Sequence, residues 1–208
     1  MRKGMDENDV VLISGTVSGE VKEDHETHGE KFYRFTVEVV RCSGTKDLLP
    51  CLIPGWLYDA AMIKPEVSVR LSGQLRSYND RAEGERKSHL VLNIFVKEIE
   101  ALNGCSGLGC NNIYLNGFLC KEPVYRRTPK GKEIADCLLA VNLAYGKSAY
   151  IPCICWGHTA RRAGKLPVGA NIELSGRIQS RVYQRENETE DRVAYEVSAF
   201  ELEPCTEY

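Results

Sequence analysis

The sequence predicts an all-β protein made of two tandem five-stranded barrels, and three observations support this. First, segments of the chain recur at a nearly constant offset of 102, 102 and 103 residues. The pairs are DVVLISG (9–15) with NNIYLNG (111–117), PCLIPGW (50–56) with PCICWGH (152–158), and LSGQLRS (71–77) with LSGRIQS (174–180). Second, each copy has five segments rich in β-branched and aromatic residues. Third, each copy has one helix-like stretch between its third and fourth strands.

The first copy contains five predicted strands, and Gly, Asp and Asn residues punctuate them. They are Val10–Val17, Phe32–Arg41, Leu48–Pro54, Val67–Ser77 and Leu90–Ile99. A helix is predicted over Leu57–Ile63, between the third and fourth strands. Five strands with a helix at this place are the plan of the OB-fold, a small and partly open barrel.

The second copy repeats the same plan. Its predicted strands are Ile113–Leu119, Glu133–Ala144, Ala149–Trp156, Ala170–Arg181 and Ala194–Leu202, with a helix over His158–Gly164. Four glycines match between the copies and predict a recurring bulge or barrel corner: Gly15 with Gly117, and Gly73 with Gly176. The glycine-rich stretch 104–112 is expected to be a linker between an N-terminal domain, 1–103, and a C-terminal domain, 113–208.

Composition and motifs exclude several classes of function. No apolar run is long enough for a transmembrane helix, and the N-terminus MRKGMDENDV has no apolar signal region, so we expect a cytoplasmic protein without a membrane partner. No P-loop, GxSxG, HExxH or GxGxxG motif is present, which predicts a protein that is not an enzyme and needs no cofactor. His25 and His28 lie in an acidic, loop-like stretch and are expected to be solvated.

The nine cysteines do not predict a metal site. Cys153 and Cys155 lie two residues apart in a strand, so both should point to one face, into the core. Cys105, Cys110 and Cys120 have no clear fourth ligand, and structural zinc requires four. Buried or free thiols are therefore favoured over a metal site or a disulfide.

The net charge of −2 hides a basic segment. Residues 121–185 carry eight more basic than acidic residues, whereas residues 1–104 carry three more acidic than basic ones. A local basic field in a nearly neutral protein is compatible with a polyanion site. A solvated surface of mixed charge is the alternative.

The stretch Ile113–Leu202 resembles the bacterial single-stranded DNA-binding protein family. The resemblance rests on NNIYLNGFLCKEP, VYRRTPKGKEIADCLLAV, YIPCICWGHTA and GANIELSGRIQSRVY, in this order and spacing. It implies that single-stranded DNA is the partner and that bases stack on Tyr145, Tyr150, Trp156 and Tyr183. It also implies a homodimer, because family members commonly assemble four OB domains.

Strand geometry supports two of these aromatic positions independently. Tyr150 and Trp156 are six residues apart in one predicted strand, so their side chains lie on the same face. The intervening Ile151, Cys153 and Cys155 lie on the other face and can fill the barrel. Aromatic side chains above and small apolar ones below form a platform for base stacking.

Basic residues are expected to contact the phosphates. Arg126, Arg127, Lys130 and Lys132 occupy a turn-like stretch between the first two strands of the second copy, and such a loop flanks the ligand face of OB-folds. Arg177, Arg181 and Arg185 recur every four residues near Tyr183. The predicted phosphate contacts are Arg126, Arg127, Lys130, Lys132, Lys147, Arg177, Arg181 and Arg185.

The first copy lacks three of the four aromatic residues at matching positions. Tyr145, Tyr150 and Trp156 correspond to Ser43, Leu48 and Pro54, and only Tyr183 has a near counterpart, Tyr78. Two interpretations remain open. The first copy is either a structural or dimerising domain, which we favour, or a second site that uses Trp56, Tyr58 and Tyr78.

The prediction is thus sequence-independent binding of single-stranded DNA in replication, recombination or repair. The alternative is a primosome-like OB module that acts mainly through protein–protein contacts. The chain ends in ELEPCTEY, without the acidic tip that recruits partners in the family, so we expect no recruitment of that kind.

Overall fold

A strand forms at each of the ten predicted segments, because β-branched and aromatic residues alternate with polar ones there. The computed structural model describes residues 8–61, 63–80, 89–102, 109–183 and 192–205. These residues form eleven strands, two short α-helices and a 3-10 turn. The predicted all-β class is confirmed.

The N-terminal barrel closes through five strands. Strand β1 pairs with β2 and with β4, β2 pairs with β3, and β3 runs parallel to β5, which lies beside β4. Helix α1 lies between the third and fourth strands, as in the OB-fold. The elements are β1 (Asp9–Thr27), β2 (Glu30–Val40), β3 (Lys46–Pro54), α1 (Gly55–Ala61), β4 (Ser68–Asp80) and β5 (His89–Ala101).

The C-terminal barrel repeats this order and adds one short strand. Strand β6 pairs with β10 and β8, β8 pairs with β9, β9 runs parallel to β11, and β11 pairs with β10. The additional strand β7 pairs with β8. The elements are β6 (Cys110–Leu119), β7 (Val124–Arg127), β8 (Glu133–Asn142), β9 (Ser148–Trp156), α2 (His158–Ala163), β10 (Asn171–Tyr183) and β11 (Arg192–Pro204). Two OB-fold barrels are therefore present.

Four glycines mark the same close approach in the two barrels. A Cβ atom at Gly15 or Gly73 would lie 2.3 or 2.2 Å from a backbone oxygen of the neighbouring strand, and at Gly117 or Gly176 it would lie 2.5 or 2.4 Å away. No side chain fits at such distances, so glycine is required there. The sequence predicted a recurring bulge or barrel corner at these glycines. In the structure, each of them marks a point where the backbones of two strands approach closely.

The connections between the first two strands differ from the prediction in both barrels. In the N-terminal barrel, β1 and β2 are joined by His28 and Gly29, whose φ angles of 52° and 78° fit the type I′ hairpin turn. This hairpin places His25 in β1, so the expected loop at that residue was wrong. In the C-terminal barrel, Arg126 and Arg127 lie in β7, where the sequence predicted only a turn-like stretch.

The chain divides by its internal contacts into two compact units. One spans Val10–Arg76 and Leu92–Asn112, and the other spans Met1–Asp9, Ser77–Val91 and Ile113–Tyr208. Most of the predicted linker lies outside the described residues. Neither helix within the described ranges has the length and apolar character needed to cross a membrane.

Candidate nucleic-acid interface

Strand β9 separates core residues from surface residues by simple alternation. Ile151, Cys153 and Cys155 are buried in the barrel, whereas Tyr150 and Trp156 expose 48% and 39% of their surface. Because alternate side chains point to opposite sides of a strand, both aromatic residues lie on the outer side, as their spacing predicted. We call this surface, with its continuation onto β8, β10 and β11, the outer face of the C-terminal barrel.

Strand register extends the outer face from β9 onto β11 and β10. Ser198 of β11 is paired with Ile154 of β9, and Arg177 of β10 is paired with Ser198. The indole Nε1 of Trp156 donates a hydrogen bond to Oγ of Ser198 over 3.2 Å, and Ser198 is almost fully buried. This bond satisfies the polar edge of the indole and fixes the ring while part of it stays exposed.

Tyr145 is the most exposed of the predicted stacking residues. It lies in the 3-10 turn Ala144–Gly146 that joins β8 to β9, and 98% of its surface is exposed. Its φ and ψ angles of 59° and 33° are left-handed, which is uncommon for a residue other than glycine. Such strained conformations concentrate at functional sites, and this turn presents the ring entirely to solvent.

The fourth predicted aromatic residue, Tyr183, is the last residue of β10 and is paired in backbone register with Arg192. Arg185, one of the predicted phosphate contacts, lies outside the described residues. The structure therefore brings Tyr150 and Trp156 onto one strand and gives only the backbone position of Tyr183.

The two arginines of β7 lie on opposite faces of the sheet. Arg126 is paired with Ile134, which is paired in turn with Trp156, so Arg126 belongs to the outer face. Arg127 is paired with Glu133 and therefore lies on the reverse side. Arg126 forms an exposed ion pair with Asp136 at 2.8 Å. Exposed pairs contribute only about 0–1 kcal/mol, so a phosphate could replace this carboxylate.

On the side of β7 opposite the outer face, here called the reverse side, Tyr125, Glu133 and Arg127 form a separate cluster of polar contacts. The hydroxyl of Tyr125 donates a hydrogen bond to Glu133 over 2.6 Å. This bond, aided by Arg161 and Arg127, holds the pKa of the Glu133 carboxyl below its ordinary value. Arg127 lies 3.5 Å from the same carboxylate. The cluster gives Arg127 a structural partner away from the outer face.

Three predicted phosphate contacts are exposed lysines. Lys130 and Lys132 lie in the turn between β7 and β8, and Lys147 follows the turn that carries Tyr145. A hydrogen bond from the Lys132 backbone N–H to Thr128 Oγ1 braces the first turn. Within the described ranges none of the three ammonium groups has an ion-pair partner, so all three can bind phosphate without breaking an existing pair.

The arginines of β10 share one face, as their even spacing predicted. Arg177 is half-buried and is paired in register with Ser198, whereas Arg181 is exposed and is paired with Ala194. The guanidinium carbon of Arg177 lies 5.5 Å from the ring centre of Phe200. Both arginines therefore lie on β10, which β11 separates from the aromatic residues of β9.

Comparison with known proteins agrees with this geometry. The profile of the Single-strand binding protein family matches residues 110–205, which is the C-terminal barrel. Single-stranded DNA-binding protein B of Bacillus subtilis (strain 168) is 34% identical over 83 residues, covering 36% of this chain and 74% of that protein. The chain belongs to the single-strand binding protein family. This membership confirms the expectation of a protein that is not an enzyme.

Other relatives of this single-strand binding protein family member are matched over less of their length. Single-stranded DNA-binding protein 1 of Lactococcus lactis subsp. lactis (strain IL1403) is 32% identical over 83 residues, covering 36% of this chain but 55% of that protein. Wild-type single-stranded DNA-binding protein from Thermus aquaticus has a similar structure, with a TM-score of 0.74 and 20% identity. That likeness covers 96% of this chain and 94% of the other, so the shared fold includes both barrels.

The secondary site predicted for the N-terminal half of this family member is not gathered in one unit. Trp56 on α1 is 61% exposed, and Tyr78 on β4 is 51% exposed. Tyr58 is half-buried, with its ring 4.5 Å from that of Tyr33. Trp56 and Tyr58 belong to one compact unit, whereas Tyr78 belongs to the other.

Sequence reasoning missed a row of aromatic residues in the N-terminal barrel, formed by His25, Phe32 and Phe95. The rings of His25 and Phe32 stack at 4.8 Å and 9°, and those of Phe32 and Phe95 lie 6.2 Å apart. The guanidinium carbon of Arg76 lies 3.6 Å above the ring of Phe95. We call these four residues the N-terminal aromatic row. The row joins residues from four strands, so no local pattern of the sequence indicates it.

The cysteines of this family member act as core and surface thiols in the described ranges. All eight that the structure describes are free, and Cys51, Cys137, Cys153 and Cys155 are buried. Burial raises the pKa of Cys51 and Cys153. A hydrogen bond between Cys137 and Cys155 lowers the pKa of the first thiol and raises that of the second. Within the same ranges no group of His, Cys, Asp and Glu could hold a metal ion.

Proposed function

We propose that this chain binds single-stranded DNA without sequence preference through the outer face of the C-terminal barrel. One observation carries the proposal: Tyr150 and Trp156 are half-exposed on one strand whose other side is the packed core. Every base has a π-face, so exposed rings on a rigid strand stack with any sequence. Tyr145 and Tyr183 complete the proposed set of stacking residues.

Phosphate contacts supply the other part of the proposed affinity. Lys130, Lys132, Lys147 and Arg181 are exposed, and Arg126 lies on the outer face with a partner that it can exchange. Contacts to phosphates give affinity without reading sequence. Arg177 and Arg185 remain proposed contacts, and Arg127 is the weakest of the set because it lies on the reverse side.

The proposed mechanism is equilibrium binding, in which no covalent bond forms or breaks. We place this activity in the cytoplasm, in replication, recombination or repair, where single strands must be kept accessible and unpaired. We also propose a homodimer, since two chains would supply the four OB domains that the family resemblance implies. Sedimentation of the full chain would show two chains for each particle.

Fluorescence anisotropy of labelled oligo-dT, titrated with the full chain at several salt concentrations, tests this proposal. We expect tight binding at low salt and a steep loss of affinity as salt increases, because bound counterions are released. A mixed-sequence oligonucleotide should bind equally well, and duplex DNA should compete poorly. Absence of binding to every single strand at low salt would overturn the proposal and favour a module that acts through protein contacts.

A further inference from the structure

Beyond the four predicted stacking residues, the C-terminal barrel has an exposed aromatic residue that belongs to no motif of the sequence, Phe200. It follows Ala199, which is paired in register with Cys155, the residue before Trp156. It exposes 47% of its surface, close to the 48% of Tyr150 and more than the 39% of Trp156. Fully burying a large apolar side chain stabilises a fold by about 1.5–3 kcal/mol. Because Phe200 is about half exposed, it contributes only part of this stabilisation. Core packing alone therefore does not explain a phenylalanine here.

A β-bulge in β11 places Phe200. In the pairing with β10, Ala199 lies opposite Gly176 and Glu201 lies opposite Ser175, so Phe200 is the extra residue. A Cβ atom at Gly176 would lie 2.4 Å from the carbonyl oxygen of Ser198, which shows how closely the bulged strand approaches β10. Bulges re-aim side chains and are frequent beside binding sites.

The backbone of the bulge is held rigidly. The hydroxyl of Thr159, a buried residue of α2, donates a hydrogen bond to the carbonyl oxygen of Phe200 over 3.3 Å. Two residues earlier, Ser198 accepts the hydrogen bond from the indole of Trp156. The same short segment of β11 therefore orients Trp156 and carries Phe200, so the two rings are positioned together.

Arg177 defines the surroundings of the Phe200 ring. Its guanidinium carbon lies 5.5 Å from the ring centre, within the range of a cation–π contact. Arg177 belongs to the outer face because it is paired in register with Ser198. Two carboxylates of β11 have their own partners: Glu196 accepts a hydrogen bond from Gln179, and Glu203 pairs with Arg162. The ring is thus bordered by the guanidinium of Arg177, and the exposed carboxylate of Glu201 follows it in the strand.

The N-terminal barrel provides the contrast at this position. Gly73 makes the same close approach as Gly176, to the backbone of Phe95 and Val96. The residue that corresponds to Phe200 there is Lys97, which is exposed. The aromatic side chain is therefore a feature of the C-terminal barrel and not a requirement of the fold.

We infer that Phe200 stacks on a nucleobase of single-stranded DNA next to the base held by Trp156, with Arg177 holding the ring and the adjoining phosphate. The inference rests on the proposed function. It extends the stacking surface from β9 across Ser198 onto the bulge of β11. The path of the DNA strand then runs from Tyr150 along β9 to Trp156 and on to Phe200.

Phe200→Leu tests the inference, because leucine keeps the apolar contact with Arg177 and removes the aromatic face. We expect oligo-dT to bind about 5- to 100-fold more weakly than with the unsubstituted chain. Phe200→Tyr should restore binding to within about 2-fold, since tyrosine also offers a π-face. Tyr125→Leu is the matched control: Tyr125 is a 41% exposed ring on the side of β7 opposite the outer face, and its loss should not change affinity.

Photocrosslinking of the unsubstituted chain to an oligo-dT that contains 5-iodouracil gives a readout without any variant. Peptides with Trp156 and with Phe200 should both carry the crosslink. Equal affinity of Phe200→Leu, or crosslinks at Trp156 without any at Phe200, would overturn the inference and leave the proposed function intact. If the unsubstituted chain does not bind at all, the proposed function and the inference both fail.

Discussion

The C-terminal barrel and the N-terminal aromatic row differ in how their aromatic rings are covered. In the C-terminal barrel Tyr145, Tyr150 and Trp156 are exposed, and among the described residues none of them contacts another ring. In the N-terminal aromatic row, Phe32 is stacked on His25, and Phe95 is covered by Arg76. The rings of the N-terminal aromatic row are therefore covered by neighbouring side chains, although Trp56 in the same barrel is 61% exposed.

The difference follows from substitutions at corresponding strand positions. Trp156 and Pro54 correspond, and each is paired with the matching residue of the preceding strand, Ile134 or Phe32. The small Ser198 accepts the hydrogen bond of Trp156, whereas its counterpart Phe95 brings a ring to the same place. Aromatic residues that pack on each other stabilise a surface by about 0.5–1.5 kcal/mol per pair. A base would have to displace those contacts before it could stack.

The largest expected effect comes from removing both rings of β9. The double variant Tyr150→Ala/Trp156→Ala should lose about 2–6 kcal/mol of binding free energy, because each stacked base contributes about 1–3 kcal/mol. Anisotropy titration with oligo-dT measures the loss. The N-terminal control variant Leu48→Ala/Trp56→Ala removes the counterpart of Tyr150 and the exposed tryptophan of the first copy, and it should keep its affinity. Equal losses in the two variants would show that both barrels bind DNA.

The shared glycines provide a test in which the barrels should behave alike. Gly73→Ala and Gly176→Ala should each destabilise the fold by about 1–3 kcal/mol or more, because a methyl group would clash with a backbone oxygen at 2.2 or 2.4 Å. Urea unfolding measures the change. Ser175→Ala, beside Gly176, should change stability by less than about 0.5 kcal/mol. A tolerated Gly176→Ala would contradict the close approach of the strands.

Removing lysine charges should reduce the salt dependence of DNA binding when the lysines lie in the C-terminal barrel, but not when the lysine lies in the N-terminal barrel. Lys130→Gln/Lys147→Gln should lower the slope of log K against log salt by about 1.4, since each phosphate contact on a single strand contributes about 0.7. Lys31→Gln in the N-terminal barrel should leave the slope unchanged, because Lys31 is already paired with Glu23 at 3.0 Å. An unchanged slope in the first variant would remove these lysines from the phosphate path.

The smallest expected effect is on the pH dependence of stability. Glu133 in the C-terminal barrel and Lys31 in the N-terminal barrel occupy corresponding positions and carry opposite charges. Glu133 has a lowered pKa because of its hydrogen bond from Tyr125. The contribution of Glu133 to stability is therefore present above the pKa that this carboxyl has in the unfolded chain. It is lost as the pH falls through the lower pKa of the folded protein. Lys31 has a raised pKa because of its hydrogen bond to Glu23, so its effect is present below the unfolded pKa and is lost as pH rises.

Urea unfolding across the acid and alkaline ranges measures both effects. Glu133→Gln should flatten the loss of stability on the acid side alone, and Lys31→Gln should flatten it on the alkaline side alone. An unchanged acid profile in Glu133→Gln would show that the contact with Tyr125 does not form in solution.

The sequence was informative wherever one strand or one repeat carried the signal. The offset of 102 residues predicted two barrels, and alternation in β9 predicted that Tyr150 and Trp156 face away from Cys153 and Cys155. These features need only local geometry, since side-chain direction in a strand has a period of two. The four matched glycines were also found by comparing the copies.

Features that depend on register between strands were not predictable. The N-terminal aromatic row joins residues 25, 32, 76 and 95 from four strands. Phe200 acquires its place from a bulge opposite Gly176, and a single extra residue reverses which side chains face outward. Strand β7 was missed because its four residues, Val124–Arg127, are too few for a clear alternating pattern.

The central claim is that single-stranded DNA binds the C-terminal barrel and not the N-terminal one. Quenching of intrinsic tryptophan fluorescence by oligo-dT tests it directly, because Trp56 and Trp156 are the two tryptophans of the chain, one in each copy. We expect quenching to persist in Trp56→Phe and to disappear in Trp156→Phe. Quenching that persists in Trp156→Phe and disappears in Trp56→Phe would contradict the claim.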